Sequence, residues 1–183
     1  MHIPSSKVIK AASTKWNFAR FEPGLVGGHC IAVDPYYLIE IGEKYSVPLE
    51  LCKTARKVND NVKKRVISVL NKIDGKILCL GVTFKENCSD LRESMALEVI
   101  QDLKTTGKQI SIFDPYTHDL NTIRFEDIEK QKWECVCIFV KHDAFVSLDI
   151  DFIKFLISDD GILVDLKGIF AQKNLKNLQY WTI

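Results

Sequence analysis

Four short apolar runs in the second half of the chain limit its fold more than any other feature. They lie at residues 76–80, 109–113, 135–140 and 161–165, and helical patterns at 94–105 and 152–157 fall between members of the series. Strands that are apolar along their whole length are covered on both faces, as in a parallel sheet with helices on each side. We therefore predict an α/β fold, a Rossmann-like parallel-sheet domain over residues 74–183, with residues 180–183 adding an edge strand.

A long helical pattern precedes this domain. It predicts a helix over residues 48–73 that is about 39 Å long. Apolar residues recur in steps of three and four at Leu51, Ala55, Val58, Val62, Val66, Val69 and Ile73. A helix of this length exceeds what a small domain covers, so it links two domains or pairs with a second copy of itself. We expect a homodimer through this helix, within a helical central region (residues 1–73) that is incomplete as a domain and is weakly patterned up to about residue 20.

Composition argues against several classes of protein. The net charge of +1 gives no electrostatic reason to expect a nucleic acid or an anionic membrane as partner. The sequence holds no apolar run near the roughly 20 residues of a membrane helix and no signal-peptide core, so we expect a cytoplasmic protein. We expect no metal, because the cysteines lack zinc-site spacing. Buried, reduced thiols are predicted at Cys52, Cys79, Cys135 and Cys137.

A glycine-rich segment, Gly27-Gly28-His29-Cys30 followed by Asp34, is the first candidate site. Glycines let the backbone approach a ligand closely, and free amides at the start of a helix, predicted here from Pro35, stabilise a thiolate. A thiol with a carboxylate one helical turn away suits covalent catalysis at a carbonyl carbon. The spacing alone favours a simpler interpretation, a tight turn with a buried cysteine and an aspartate at a helix start.

The loop after the first predicted strand, residues 81–94, is the second candidate site. It lacks the GxGxxG pattern of a dinucleotide loop, but Lys85 and Arg92 lie where a strand opens into a helix, which suits a phosphate. A solvated loop with capping residues explains the same pattern. Ligands bind at the carboxyl ends of such strands. We therefore expect residues 81–90, 114–115, 141–142 and 166–167 on one rim, with Lys85 and Lys167 at adjacent strand ends.

Longer motifs resemble a known family. Residues 23–38 resemble the active-site segment of the UDP-glucose/GDP-mannose dehydrogenase family, most of all its branch acting on UDP-N-acetylhexosamines for polysaccharide biosynthesis. Residues 83–94 resemble the motif that opens the family's UDP-binding domain, and residues 114–115, 141–145 and 165–170 follow in family order. The resemblance covers nearly the whole chain and implies a central region with one long helix followed by a UDP-binding domain.

The resemblance also implies a reaction and roles for residues. The family oxidises the C6 alcohol of a nucleotide sugar twice with NAD: a cysteine captures the aldehyde, and water hydrolyses the resulting thioester to a uronate. Cys30 is then the nucleophile and Asp34 the acid/base partner that helps to position water. The implied substrate contacts are Phe21, Gly24, Leu25, Val26, Gly27, Phe84, Lys85 and Lys167, with Lys15 reaching a neighbouring subunit's substrate and Arg92 reaching toward NAD.

Part of the family pattern is not found in these residues. The glycine-rich NAD loop, the catalytic threonine and glutamate, and the Lys-x-x-x-Asn helix are not among them, so we expect this chain alone to be inactive. One hypothesis is a portion of an NAD-dependent UDP-sugar 6-dehydrogenase. A second is a non-catalytic UDP-sugar-binding and dimerisation module. A third, a structural α/β domain without a ligand, leaves both candidate sites unexplained.

Overall fold

Strands and helices follow one another much as the apolar pattern predicts. The computed structural model describes residue 3 and residues 5–117 and 122–183. The helices are α1 (Ser5–Ala12), α2 (Asp34–Lys44), α3 (Glu50–Leu70), α4 (Met95–Thr105), α5 (Phe125–Ile128), α6 (Asp143–Val146) and α7 (Ile150–Leu156). The strands are β1 (Lys76–Leu80), β2 (Gln109–Phe113), β3 (Trp133–Ile138), β4 (Ile157–Asp165) and β5 (Gln179–Trp181).

A parallel five-stranded sheet in the order β2-β1-β3-β4-β5 forms the centre of the second half. Successive residues of β1 enter opposite cores, because side chains alternate along a strand. Ile77 and Cys79 pack with α3 and α4, whereas Leu78 and Leu80 pack with α6 and α7. Both faces are thus covered, which confirms the predicted α/β fold, and β5 is the edge strand expected near the C-terminus.

Several predicted boundaries are wrong. β3 covers Trp133–Ile138 rather than 135–140, α7 covers Ile150–Leu156 rather than 152–157, and β4 begins at Ile157 rather than at 161. The apolar pattern does not include the first residues of β4, because residues 158–160 are polar and are partly or fully exposed to solvent. α1 forms in the segment that is weakly patterned, and none of its eight residues is buried.

The long helix is shorter than predicted, and only the C-terminal half of its predicted apolar stripe packs as expected, since Val66 is buried and Val69 and Ile73 pack against the same core. α3 has 21 residues rather than the 26 of positions 48–73, or about 32 Å. Leu51 and Val58 of the predicted stripe are 85% and 56% exposed. The side chains that contact the rest of the chain recur in steps of three and four at Arg56, Asn59, Lys63, Val66 and Leu70. This face is polar where it meets the glycine-rich loop (residues 23–33) and apolar where it meets the sheet.

Ion pairs also join α3 to α4. Lys63 Nζ lies 2.8 Å from Glu98 Oε2 and 3.2 Å from Asp102 Oδ2. Partial burial lowers the pKa of Lys63, but the hydrogen bonds to these two carboxylates outweigh it and raise the pKa overall. Across residues 5–117 and 122–183, no helix is both long and apolar enough to cross a membrane.

A buried carboxylate joins the loops at the carboxyl edge of the sheet. Asp114, which follows β2, accepts hydrogen bonds from the amides of Val82 (2.7 Å) and Tyr116 (2.8 Å). Its Oδ2 also lies 3.2 Å from His142 Nε2, and both side chains have no exposed surface. Burial raises the pKa of Asp114, but the hydrogen bonds from these three partners outweigh it and hold that pKa below its usual value.

The hydrogen bonds of His142 define its protonation pattern. Its Nδ1 accepts the backbone N–H of Asn87 at 2.9 Å, so Nδ1 carries no proton. The proton therefore sits on Nε2, which faces Asp114 and lies 3.3 Å from Thr83 Oγ1. Thr83 in turn donates to the carbonyl of Lys85 at 2.9 Å. The fully buried imidazole thus holds residues 83–87 at the edge where ligands bind in such sheets.

Replacing Asp114 with asparagine should lower the free energy of unfolding by about 1–3 kcal/mol, because an amide cannot accept all three of these hydrogen bonds. Urea unfolding measures the change. Asp159→Asn is the matched control, since it removes the same charge from an exposed position of β4 and should change the free energy by less than about 0.5 kcal/mol. Equal losses in the two variants contradict the assignment.

The same variant has a characteristic pH dependence. Because the folded-state pKa of Asp114 is lowered, its stabilisation is complete above the unfolded-state pKa of about 3.9 and is lost as pH falls through the folded-state value. We expect the difference in unfolding free energy between wild type and Asp114→Asn to be full at pH 7 and to shrink below about pH 4. A difference that instead grows in acid would show that the folded-state pKa is raised.

Candidate functional site

The glycine-rich loop lies against the carboxyl edge of the sheet and closes one side of a cleft. The cleft contains about 310 Å³ of empty space, most of which is open to solvent rather than enclosed by the protein. Loop residues, the segment after β1, the start of α4 and the ends of β3 and β4 all contribute to it. Its lining consists of Leu25, Gly27, Thr83, Phe84, Lys85, Glu86, Met95, Ala96, Phe139, Val140 and Lys167.

Two glycines allow the loop to approach the sheet this closely. The amide of Gly28 donates to the carbonyl of Glu93 at 3.1 Å, and Gly28 has a φ of +105°, where residues with a Cβ are strained. A Cβ on Gly28 would lie 2.9 Å from the Phe84 ring, and one on Gly27 would overlap the Glu93 carbonyl oxygen. The Gly27-Gly28 pair is therefore required for backbone contact between the loop and residues 84–93.

Two lysines border the cleft. Lys85 Nζ lies 5.3 Å from the centroid of the Phe84 ring, and Lys167 Nζ lies 3.3 Å from Glu86 Oε1. A Cβ on Gly24 would lie 2.9 Å from Lys167 Nζ, so the loop passes directly over this ammonium group. Partial burial raises the pKa of Glu86, but a backbone hydrogen bond and the charge of Lys167 outweigh it and lower the pKa. Glu86 is thus ionised at neutral pH and neutralises part of the positive charge.

The expectation that Lys85 and Lys167 follow adjacent strands is wrong. The two residues follow β1 and β4, and β3 lies between those strands. The cleft forms over the end of β3, where Phe139 and Val140 line it. Strand order depends on how each crossover returns to the sheet, and an apolar run carries no information about its neighbours.

Cys30 lies in the turn that leads into α2. It is exposed, which excludes the alternative of a cysteine buried in a tight turn. Its carbonyl accepts the amides of Val33 (3.0 Å) and Asp34 (2.8 Å), and Asp34 is the first residue of α2. Asp34 is therefore one turn from Cys30, as the spacing predicts. These two amides are already paired with a carbonyl, so they do not supply the free donors that the sequence suggested for a thiolate.

Arg92 is paired within its own loop. Its guanidinium contacts both carboxylate oxygens of Asp90 at 2.6–3.1 Å, and its side chain is 68% exposed. The hydrogen bonds from Arg92 lower the pKa of Asp90 to about 2. The pKa of Arg92 is raised, first by its hydrogen bonds to Asp90 and further by the charge of Asp90. Arg92 is not among the residues that line the described cleft.

The remaining predicted contacts lie outside the cleft lining. Phe21 is 79% exposed, and Lys15 is exposed in the turn that follows α1. The side chain of Val26 is 43% exposed, while its backbone is hydrogen-bonded to Asn59. The structure therefore brings Gly24, Leu25 and Gly27 together with the residues after β1 and β4, and leaves Phe21, Val26 and Lys15 on the surface.

Sequence reasoning missed the side chains that hold these loops. Asn59 and Arg56 hold the glycine-rich loop, Glu86 pairs with Lys167, and His142 holds the segment after β1. For α3 a signal was present, because Arg56, Asn59 and Lys63 recur at helical spacing. The predicted burial of Cys52 is also wrong, since this thiol is partly exposed.

Two family models match the chain. The UDP-binding domain of the UDP-glucose/GDP-mannose dehydrogenase family matches residues 78–172, which is more than half of the chain, and the central domain of the same family matches residues 1–61. The predicted division between residues 73 and 74 lies between the matched ranges and stays a prediction.

Similar proteins cover the chain almost completely. A UDP-N-acetyl-D-glucosamine 6-dehydrogenase of Pseudomonas aeruginosa is 35% identical over 94% of the chain and 44% of its own length. Protein CapL of Staphylococcus aureus is 36% identical over 96% of the chain and 45% of its own length. The structure of a UDP-D-ManNAc dehydrogenase from Pyrococcus horikoshii superposes with a TM-score of 0.80 at 23% identity, covering 99% of the chain and 44% of that structure, and it supports the fold.

The chain therefore spans a little under half the length of these relatives. The matched ranges, the order of the motifs and the cleft between the glycine-rich loop and the sheet agree with one another. From the match of its central and UDP-binding regions, we conclude that the chain belongs to the UDP-glucose/GDP-mannose dehydrogenase family.

Proposed function

We propose that this chain is the part of an NAD-dependent dehydrogenase that binds the nucleotide sugar and carries the reactive thiol. The enzyme oxidises the C6 alcohol of a UDP-N-acetylhexosamine to a uronate. The observation that carries the proposal is the cleft, where the loop that leads to Cys30 meets Lys85 and Lys167 at the edge of the UDP-binding domain. The name of the relative from Pseudomonas aeruginosa supports a UDP-N-acetylhexosamine as substrate. The six unpaired cysteines agree with the predicted cytoplasmic location.

Positive charge at the cleft accounts for recognition of a diphosphate. Lys85 is exposed and has no carboxylate partner among the described ion pairs, whereas Lys167 is shared with Glu86. An entering pyrophosphate competes with the Glu86 carboxylate for Lys167 and takes up the free charge of Lys85. The backbone of the loop at Gly24 and Gly27 then lies beside the ligand, because neither residue has a side chain to prevent it.

In this proposal Cys30 captures the C6 aldehyde. A bond forms between Sγ and C6, and the aldehyde oxygen takes a proton, giving a thiohemiacetal. Loss of a hydride and a proton converts this adduct to a thioester. Water then adds to C6, the bond between C6 and Sγ breaks, and sulfur recovers its proton as the uronate leaves. Asp34, one turn along the chain, accepts a proton from that water.

NAD, the two-electron acceptor that the family uses, would receive the hydride lost from C6 in this scheme. Arg92 is the described residue that the resemblance assigns to this cofactor, and its guanidinium is already engaged by Asp90. A guanidinium that is already paired with a carboxylate is not enough to bind a dinucleotide, so we assign no described residue a role in binding NAD. We expect the 183-residue polypeptide by itself to bind the nucleotide sugar without oxidising it.

Replacing Lys85 with alanine should weaken UDP binding about ten- to a hundredfold, the effect of losing one charged hydrogen bond. Isothermal titration calorimetry with UDP measures the affinity. Lys173→Ala removes the same charge from an exposed position outside the cleft lining and should leave the affinity within about twofold. Unchanged binding by the Lys85 variant, or an equal loss in both variants, would show that the diphosphate binds elsewhere.

Cys30 should react with iodoacetamide at least about a hundredfold faster than the strand cysteines at pH 7, because buried thiols react only when the fold opens. Cys79, Cys135 and Cys137 have no exposed surface, and burial raises the pKa of each of these thiols. Peptide-resolved mass spectrometry measures all the rates in one sample.

The ligand provides the control for this experiment. Saturating UDP-N-acetylglucosamine should slow the alkylation of Cys30 and leave Cys52, a partly exposed thiol on α3, unchanged. If the nucleotide sugar binds but Cys30 reacts at the same rate, the thiol lies outside the substrate site and its proposed role falls.

The homodimer through α3 is also part of the proposal. Leu51, Ala55 and Val58 lie on one side of the helix and are exposed in the single chain, and exposed apolar stripes mark interfaces. A second copy would cover them without contacting the face that holds the glycine-rich loop. Light scattering should therefore give twice the chain mass at micromolar concentration.

A carboxylate within the stripe should dissociate this dimer, because a buried unpaired charge is strongly unfavourable. Val58→Glu should give the monomer mass at a concentration where the wild type is dimeric. Lys64→Glu, on an exposed position about 240° further round the helix, should leave the dimer intact. A wild-type monomer at high micromolar concentration contradicts the proposal.

A further inference from the structure

The side chain of Asn59 pairs with the backbone of the glycine-rich loop as a peptide group would. Its Oδ1 accepts the amide of Val26 at 3.2 Å, and its Nδ2 donates to the carbonyl of the same residue at 2.9 Å. Asn59 is 8% exposed, so both bonds are largely shielded from water. Since the side chain of Val26 itself faces solvent, these two bonds fix the loop through its backbone rather than through apolar packing.

A second residue of the same helix face holds the chain on the other side of Cys30. Arg56 Nη1 donates to the carbonyl of Ile31 at 3.2 Å, and its guanidinium lies 5.0 Å from the centroid of the Tyr36 ring. Val26 and Ile31 are four residues before and one residue after Cys30. The thiol therefore lies on a short span whose two ends are attached to one turn of α3.

Asparagine is not the residue that helix formation alone would select here, because it is among the weaker helix formers. An aspartate of the same shape keeps an acceptor for the Val26 amide but sets a carboxylate oxygen against the Val26 carbonyl. Only an amide side chain supplies the donor and the acceptor together, so the residue type matches the backbone it holds.

We propose that Asn59 is a positioning residue that holds the glycine-rich loop, and with it Cys30, in the conformation that binds the nucleotide sugar. This inference rests on the proposed function of the cleft. The loop lines the cleft at Leu25 and Gly27, and the amide of Gly28 bonds to the carbonyl of Glu93 at the carboxyl edge of the sheet. If the loop is released from Asn59, it must be ordered again when the ligand binds. The apparent affinity for the nucleotide sugar then falls in proportion to the fraction of molecules whose loop is in the binding conformation.

Two variants at Asn59 and two at Asn61 test the proposal. Asn61 is exposed, is two residues further along and lies about 200° round the helix, so Asn61→Asp and Asn61→Ala repeat the chemistry away from the loop. Amide hydrogen exchange of the full chain is followed at Val26 and Gly28, with Leu78 in β1 as the reference for global unfolding. UDP and UDP-N-acetylglucosamine affinities are measured on the same samples.

Asn59→Asp and Asn59→Ala should both speed exchange at Gly28 about tenfold or more, and both should weaken binding of UDP-N-acetylglucosamine about tenfold, with Leu78 and the Asn61 variants unchanged. Exchange at Val26 should rise more in Asn59→Ala, which loses both bonds, than in Asn59→Asp, which keeps an acceptor. A residue that acts only by filling space predicts a different result, because aspartate has the shape of asparagine and would behave as the wild type.

The outcomes separate the inference from the proposed function. Exchange at Val26 and Gly28 that matches the wild type overturns the inference, whatever the affinities are. Faster exchange in the Asn59 variants with unchanged affinity overturns it as well, because the loop conformation then has no bearing on binding. A rise in exchange at Leu78 as large as at Gly28 shows global destabilisation and counts against it. If the wild type binds neither nucleotide, the proposed function of the cleft falls, and the role of Asn59 in holding the loop is decided by exchange alone.

Discussion

The face of α3 that carries Arg56, Asn59, Lys63, Val66 and Leu70 is the contact on which the site depends. Arg56 and Asn59 bond to the backbone around Cys30. Further along the helix, Lys63 pairs with α4, and Val66 and Leu70 belong to the apolar core between the helices and the sheet. A helix is stiff over this length, so the thiol loop and the UDP-binding domain are held at a set separation. Because this one face of α3 contacts both the loop and the UDP-binding domain, Leu51, Ala55 and Val58 on another side of the helix are left exposed for another partner.

The second determinant is the set of buried polar groups at the carboxyl edge. Asp114 and His142 have no exposed surface, and between them they satisfy the amides of Val82, Tyr116 and Asn87. Buried polar groups of this kind are unfavourable unless each one is paired, so the network tolerates few alternative arrangements. The segment that bears Phe84 and Lys85 is consequently presented in a defined conformation at the edge of the cleft.

The two halves of the cleft differ in how far they could be predicted. The glycine pair, Cys30 and Asp34 stand close together in the chain, so their spacing alone indicates a turn leading into a helix, and the structure has that turn. Lys167 follows β4 as predicted, but β4 does not lie beside β1, because β3 lies between them. Neither the pairing of Lys167 with Glu86 nor the role of Asn59 can be read from apolar periodicity, since both depend on polar contacts between distant parts of the chain.

The sequence by itself determined that the second half is a covered parallel sheet, since strands such as Ile77–Leu80 have no polar face to offer water. It also determined which residues have reactive or charged groups. The tertiary structure alone decided which of those groups meet. It set Asn59 against Val26, Lys167 beneath Gly24, and Arg92 on Asp90 rather than in the cleft. Periodicity records whether a residue faces the interior, but a hydrogen-bond partner is chosen by distance and direction, which appear only when the elements have packed.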